Sequence, residues 1–487
     1  MSSNHARTPD EHFHTLNRTH ESQADYDLAI KYAPRIRFDR VEPFWPSVVG
    51  YTVFRKSTKS LSFPRNIELD ESVEAVIEYA TWWDWDIQHL YELEHIWVYV
   101  DADGNIVRTD ASWHGGWNQM QTADSEIPLE NGRVTLFSEP GKHAFAATTT
   151  TLLERRPVTD ASAGENAGKM AVHVTPLFEG VILDRTPTNN RVVRTYLERL
   201  RFTPTYEFTS VFDLRDAVFV PWNTLQEWIP ERVNVWVEHL KRQIPENQRH
   251  VMRIAHRGAS AHAREGSTSS IQKAKELGAD VVEIDIRLTR DNVPIVFHDA
   301  GLQRVFGINR LVSELDADEL ASITPPDKEP ILTFAEMVKL CQKHALGLYL
   351  DIKEVNAEGI KALFDTLEQR GMFKYAIFSS FRPDIIAEIK GNRPDAITSI
   401  LFSSKHVNPV QIADAVQADF VHPCFERFDR PQDFISGEWM QVVRDNELGV
   451  VCWHEERPDV IHDLYELGVD GICSDNPELL FAEYQSR

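Results

Sequence analysis

Cysteine is scarce: Cys341, Cys424, Cys452 and Cys473 are the only four in 487 residues, and none forms a CxxC pair. Cys452 and Cys473 lie in apolar, strand-like runs, where reduced buried thiols are expected, and a reducing, cytoplasmic setting fits them. No apolar run approaches the roughly 18 residues of a membrane helix, so a transmembrane segment is not expected. The opening stretch, MSSNHARTPDEHFH, has no apolar core, so no secretory signal is expected. Positive charge is also short: 51 Lys and Arg face 75 Asp and Glu, for a formal net charge of −24. Such a chain repels phosphate backbones, which argues against nucleic acid and against an anionic membrane surface. A phosphate-bearing substrate would need a locally positive site.

What is present is enough for several packed cores. The chain is too long for one, and two or three domains are expected. Its character changes near residue 245. Before that point tryptophan is dense and apolar residues alternate with polar ones. The segment IWVYVDADGNIVRTDASW (Ile96 to Trp113) reads as two strands about an Asp103–Gly104 turn, and VTLFSE and HAFAATTT look similar. We divide this half into an N-terminal extension (1–30), a mostly-β domain (31–185), read as a sandwich, and a helical connector (186–247). The helical spacing of the connector, NTLQEWIPERVNVWVEHLKRQI, is expected to be interrupted at Pro230.

Residues 251–487 alternate short apolar runs with amphipathic helices. The runs are MRIAH, DVVEIDI, GLYLDIK, AIFSSF, AITSILF, DFVHPC, GVVCWH and DGICSD. Eight strands with crossover helices in about 235 residues imply a closed (βα)8 barrel. VPIVFHDAG follows DVVEIDI after only LTRDN, too short for a crossover, so it reads as a hairpin strand, followed by an insertion reaching about Ile331.

Barrel chemistry gathers at the C-terminal ends of the strands. There the first strand delivers His256 and Arg257, the second Glu283 and Asp285, the hairpin His298 and Asp299, the third Asp351 and Lys353, the seventh Trp453 and the eighth Asp475. Glu283 and Asp285 are two apart and share a strand face. With Asp351 they make a carboxylate set suited to a hard divalent cation, Mg²⁺ or Ca²⁺. Glu265 is a further ligand or an orienter. Arg257 can fork onto phosphate oxygens, and Lys353 adds a point charge. Two histidines flanking a phosphate can take one proton and give another. Gly258 is expected to let the anion approach closely, and Asp475 to cap the last helix.

AHRGAS, Glu265, VEIDIRLTRDNVPIVFHD, LDIK and GVDGICSDNP together resemble the glycerophosphodiester phosphodiesterase family over about residues 251–487. The resemblance implies a (βα)8 barrel, a divalent metal, and hydrolysis of glycerophosphodiesters to glycerol 3-phosphate and an alcohol. It implies His256 and His298 as the acid/base pair, Glu283, Asp285 and Asp351 as metal ligands, and Arg257 and Lys353 as phosphate holders. Three features depart from the family pattern. Asp351 stands where glutamate is usual. The Pro-Glu-Asn-Thr turn is Arg264-Glu265-Gly266-Ser267. His454, followed by Glu455 and Glu456, comes after Trp453. The attacking oxygen is either water or the substrate's own 2-hydroxyl.

In the front half, Asp84, Asp86, His89, Glu94, His95, His114 and His143 are grouped in sequence. Over about residues 30–150 the pattern resembles the β-sandwich of necrosis-inducing-type proteins and some vacuolar-sorting-associated domains. The group is either a metal site or structural polarity on a tryptophan-rich sheet. Two other whole-chain readings stand beside the phosphodiesterase: a lysophospholipase D-type enzyme, favoured by an apolar groove near Trp439, Trp453 and Val305–Phe306, and an idle barrel serving as a binding module. The partner in the leading reading is a small-molecule phosphodiester, and the oligomeric state is left open.

Overall fold

The computed structural model describes residues 7–323 and 329–480. These residues form two compact units that divide at Pro245/Glu246, with Thr186–Thr188 counted in the second. Small parts of the expected insertion (324–328), of the N-terminal extension (1–6) and of the barrel's end (481–487) lie outside the described residues.

The first unit is built on a six-stranded sheet. Its strands lie in the order Val218–Pro221, Val48–Phe54, Ala75–Trp85, Leu90–Val100, Ile106–Trp113 and Gly116–Gln119. The anticipated hairpin is there: Leu90–Val100 pairs antiparallel with Ile106–Trp113, and Gly104 takes the left-handed conformation at φ +82°. A second sheet orders Phe145–Ala146, Arg133–Ser138, Arg35–Phe38 and Ser210–Asp213. HAFAATTT is strand only at Phe145–Ala146, and a helix starts at Thr149.

Two expectations need correction here. The long helix Trp222–Gln243 runs through Pro230 without a break. A proline costs a helix one backbone hydrogen bond, but Trp222, Leu225, Trp228, Ile229, Val233, Val237 and Leu240 bury one face on both sides of it. That burial outweighs the local loss. For the same reason this part of 186–247 is no free connector, because the helix lies in the first unit's core beside Val48, Trp82 and Val220.

In the second unit eight parallel strands close on themselves. They are Met252–His256, Val281–Leu288, Gly347–Ile352, Ala376–Ser380, Ile397–Phe402, Phe420–Pro423, Gly449–Cys452 and Gly471–Ser474. Closure is made by the first strand, which pairs with both the second and the eighth, Ile254 lying opposite Val281 and Cys473. Pro294–Val296 pairs antiparallel with the second strand, as the short LTRDN link required. The insertion packs its own small cluster of Ile295, Phe297, Leu302, Val312, Leu315 and Leu320. All four cysteines are buried and unpaired. Among the described residues no helix is long and apolar enough to cross a membrane.

Candidate active site

One apolar plug fills the barrel: Ile254, Val281, Tyr349, Ile377, Phe420, Val451 and Cys473, with Ile397 packed against them. Side chains on a strand return to the same face every second residue. Two positions further along, these eight segments carry His256, Glu283, Asp351, Ser379, His422, Trp453, Asp475 and Ser399. Chemistry therefore begins where the plug ends. One more step along the second and third strands gives Asp285 and Lys353.

The three carboxylates converge. Glu283, Asp285 and Asp351 place ligand-capable oxygens within 4.8 Å of one another, and all three are buried. Two cations reach them: Arg257 Nε lies 3.0 Å from Asp285 Oδ2, and Lys353 Nζ lies 2.9 Å from Asp285 Oδ1 and also contacts Asp351. The backbone N–H of Arg257 donates to Glu283 Oε2 at 3.0 Å. Burial, then repulsion from its two neighbours, pushes Glu283 well above the usual carboxylate range, and burial raises Asp351 to about 6. Burial also acts on Asp285, but Lys353 and Arg257 outweigh it and hold this carboxyl low. Glu283 Oε1 and Asp351 Oδ1 are buried without a hydrogen-bond partner. An all-oxygen set with unpaired buried acceptors and excess negative charge fits a hard divalent cation.

Both histidines present the same arrangement. His256 Nδ1 is 2.7 Å from Asp475 Oδ1, and His298 Nδ1 is 2.7 Å from Asp299 Oδ1. An ionised carboxylate only accepts, so each Nδ1 carries the proton and each Nε2 faces away from that carboxylate. Burial lowers the His256 pKa, and its Nε2 is buried, unbonded and 3.9 Å from Glu283 Oε2. Burial raises Asp475, but hydrogen bonds from His256 and Ser260 outweigh it and keep that carboxyl well below its ordinary range. His298 is near enough to Asp285 and Asp351 for its charge to act on both.

Glu265 sits beside this group: its Oε2 accepts from Arg257 Nη1 at 3.0 Å, and it also pairs with Arg304. Trp453 lies beside His256, His422, Phe381 and the Lys353 ammonium. Asp475 accepts at Oδ1 from both His256 and Ser260. Gly258 is required for another reason than anion approach: it sits at φ +83°, and a Cβ there would lie 2.4 Å from Ser270 Oγ. Trp439 packs against one apolar cluster, and Val305 and Phe306 against another.

Sequence reasoning passed over two contributors, Arg287 and His422, and noted a third, His454, only as a departure from the family pattern. Arg287, one further inward step after Asp285, donates from Nε to the His298 carbonyl at 2.8 Å, and period two alone would have found it. His422 hydrogen-bonds with Tyr349 deep in the barrel. His454 stacks on His256 with centroids 4.9 Å apart and planes 13° apart. Its Nδ1 donates to Glu456 Oε2 at 3.0 Å, and the other Glu456 oxygen accepts from the Asp475 backbone N–H at 2.8 Å.

The front-half residues gather in part: Asp86 feels the charges of His89 and His143, Glu94 feels those of Asp86 and Glu139, and Asp84 and His95 have other partners. Asp84 pairs with Arg232 at 2.6 Å and His114 with Glu139 at 2.6 Å. His143 stacks on Trp83 and His95 on Trp97. Glu94 contacts Ser112, and burial raises its pKa to about 7. Asp86 and His89 do come together, with Glu92 as a third, unanticipated member. Lys142 Nζ sits against both Asp86 oxygens at 2.8 Å.

Comparison with known proteins gives the following. Residues 256–479 match the model of the glycerophosphoryl diester phosphodiesterase family. A glycerophosphodiester phosphodiesterase of Caldanaerobacter subterraneus is 27% identical over 237 residues, covering 47% of this chain and 95% of that protein. Human glycerophosphodiester phosphodiesterase 1 is 29% identical over 160 residues, covering 30% of this chain and 47% of that one. Among solved structures, an Oleispira antarctica phosphodiesterase in complex with the product sn-glycerol-3-phosphate is 23% identical. It covers 48% of this chain and 96% of its own, with a TM-score of 0.43.

Proposed function

We propose, from the premise that the C-terminal half belongs to the glycerophosphoryl diester phosphodiesterase family, that this chain hydrolyses glycerophosphodiesters to glycerol 3-phosphate and an alcohol. The observation that carries the mechanism is the matched pair of imidazoles, each with Nδ1 on a carboxylate, beside the three-carboxylate cluster.

Glu283, Asp285 and Asp351 would hold the divalent cation, Mg²⁺ or Ca²⁺, which supplies positive charge to the phosphate when bound. Arg257 and Lys353 offset the rest of the phosphodiester's negative charge, so that an oxygen nucleophile is less repelled. His256, kept neutral by burial, accepts at Nε2 the proton of the attacking oxygen. Asp475 stabilises the imidazolium that results. His298, on the more open hairpin, donates a proton from Nε2 to the departing alkoxide, with Asp299 holding its ring. The exposure of His298, 34% against 7% for His256, favours this division, because the leaving group must exit to solvent.

The test is turnover of a panel of glycerophosphodiesters and lysophospholipids with Mg²⁺, Ca²⁺ or chelator. His298→Ala is expected to lower turnover by about 10²- to 10⁴-fold with the fold intact. Near-normal turnover by that variant would remove His298 from the chemistry. Faster release of head group from lysolipids than from glycerophosphodiesters would replace the substrate class.

A further inference from the structure

We propose that Arg304, on the insertion, is a positioning residue that holds the phosphate clamp and the second imidazole in one frame. The inference rests on the reading above, in which Arg257 and His298 serve the reaction.

Arg304 lies in the short helix Gln303–Phe306, outside the barrel strands. Its Nε donates to Asp299 Oδ2 at 2.5 Å, its Nη1 to Glu265 Oε2 at 3.3 Å, and its Nη2 to Glu265 Oε1. The same two carboxylates do other work. Asp299 Oδ1 accepts from His298 Nδ1 at 2.7 Å, and Glu265 Oε2, shared with Arg304 Nη1, accepts from Arg257 Nη1 at 3.0 Å. One planar guanidinium thus fixes both carboxylates that aim the two functional groups. His298 and Arg257 come from different segments, and Arg304 adds a polar bridge between their orienting partners.

The insertion gives Arg304 a firm base. Phe306 stacks on Phe297 at 5.8 Å and 16°, and Arg264 lies over the Phe306 ring. Gly307 closes the turn at φ +70°. The Arg304 side chain is itself half exposed. Exposed ion pairs add little to stability, so removing this one is expected to leave the fold standing. Its value is geometric. A lysine keeps the charge but not the planar fork, so it is expected to hold the two carboxylates less firmly.

The experiment compares Arg304→Gln and Arg304→Lys with the wild type, in kinetics and in ¹⁵N imidazole NMR. Arg304→Gln is expected to lower kcat/KM by about 10- to 100-fold, through a lower kcat and a raised KM, with the thermal midpoint unchanged. Arg304→Lys is expected to recover part of the loss. In an Asp299→Asn, Glu265→Gln background, Arg304→Gln is expected to add nothing, since both its targets are already released. A full additive loss there would overturn the proposal. NMR decides independently of turnover: the His298 ring signals must shift in Arg304→Gln while the His422 signals stay. Unmoved His298 signals would sink the role of Arg304 even in an active enzyme. A wild type inactive on every glycerophosphodiester, with the His298 shift intact, would instead sink the functional reading and leave the positioning role standing.

Discussion

Two buried acid clusters, one in each unit, draw on the same residue types and end in different states. In the first unit Asp86, His89 and Glu92 gather around Lys142. Lys142 contacts both Asp86 oxygens, the Gln88 backbone N–H donates to Oδ1 at 2.6 Å, and neither Asp86 oxygen is left unbonded. In the barrel Lys353 is divided between Asp285 and Asp351, and Glu283 Oε1 and Asp351 Oδ1 stay buried and unbonded. A list of donor types does not separate a structural ion cluster from a cation site. The two differ in bond closure at Asp86, whose oxygens are both bonded, and at Glu283 and Asp351, which each keep an unbonded one.

The sharpest way to break this comparison is to remove one carboxylate from each cluster. Asp351→Asn is expected to reduce turnover by about 10³-fold while stability holds, because it relieves repulsion among buried acids. Asp86→Asn is expected to leave turnover intact but to cost about 3 kcal/mol in urea denaturation, since Lys142 stays buried with a weakened partner. Loss of turnover in a well-folded Asp86→Asn protein would make the front cluster part of the chemistry and erase the distinction.

A smaller effect tests the neutral histidines in each unit. Burial holds His95 in the first unit and His422 in the barrel at about 3. Below the unfolded value of about 6.5 the unfolded chain takes a proton that the fold refuses. Their contribution is therefore present above 6.5 and lost as pH falls toward 3, at about 1.4 kcal/mol per pH unit for each ring. Glu94 and Asp351 run the other way, being raised to about 7 and about 6. The useful readout is consequently a difference between proteins. His95→Phe is expected to gain about 2 kcal/mol on the wild type between pH 6.5 and 5.0. A pH-independent difference would show that His95 titrates normally in the folded protein.

The barrel was legible because its evidence is local. Each strand is a short apolar run whose inward face changes from aliphatic to polar at a fixed step, as from Ile254 to His256 or Val281 to Glu283. The crossover helices enforce parallel order. Arg304 and His454 were not legible as functional neighbours. Their partners are made by the closing of the barrel and the folding-back of the insertion, and neither event has a period in the sequence. The first unit resisted for a related reason. Its acids and histidines are adjacent along or just beyond the strands Ala75–Trp85 and Leu90–Val100, but Asp84, inside the strand, pairs with Arg232, and Asp86, past its end, pairs with Lys142. Pro230 misled because local propensity was read without the apolar face that carries the helix past it.

The smallest expected effect turns the histidine comparison around. His454 differs from His95 and His422 in sign: its hydrogen bond to Glu456 outweighs burial and raises its pKa. A raised imidazole contributes fully below the unfolded value of about 6.5 and loses its contribution as pH rises through the folded one. His454→Phe keeps an aromatic ring against His256 but removes the charge. Because the side chain is nearly a third exposed, solvent screening holds the effect below about 1 kcal/mol. The variant is expected to be less stable than the wild type at pH 5.5 and equal to it by pH 8.5. The opposite trend, a deficit growing with pH, would mean that the Glu456 pair does not hold the proton, and that His454 belongs with the neutral rings of the core.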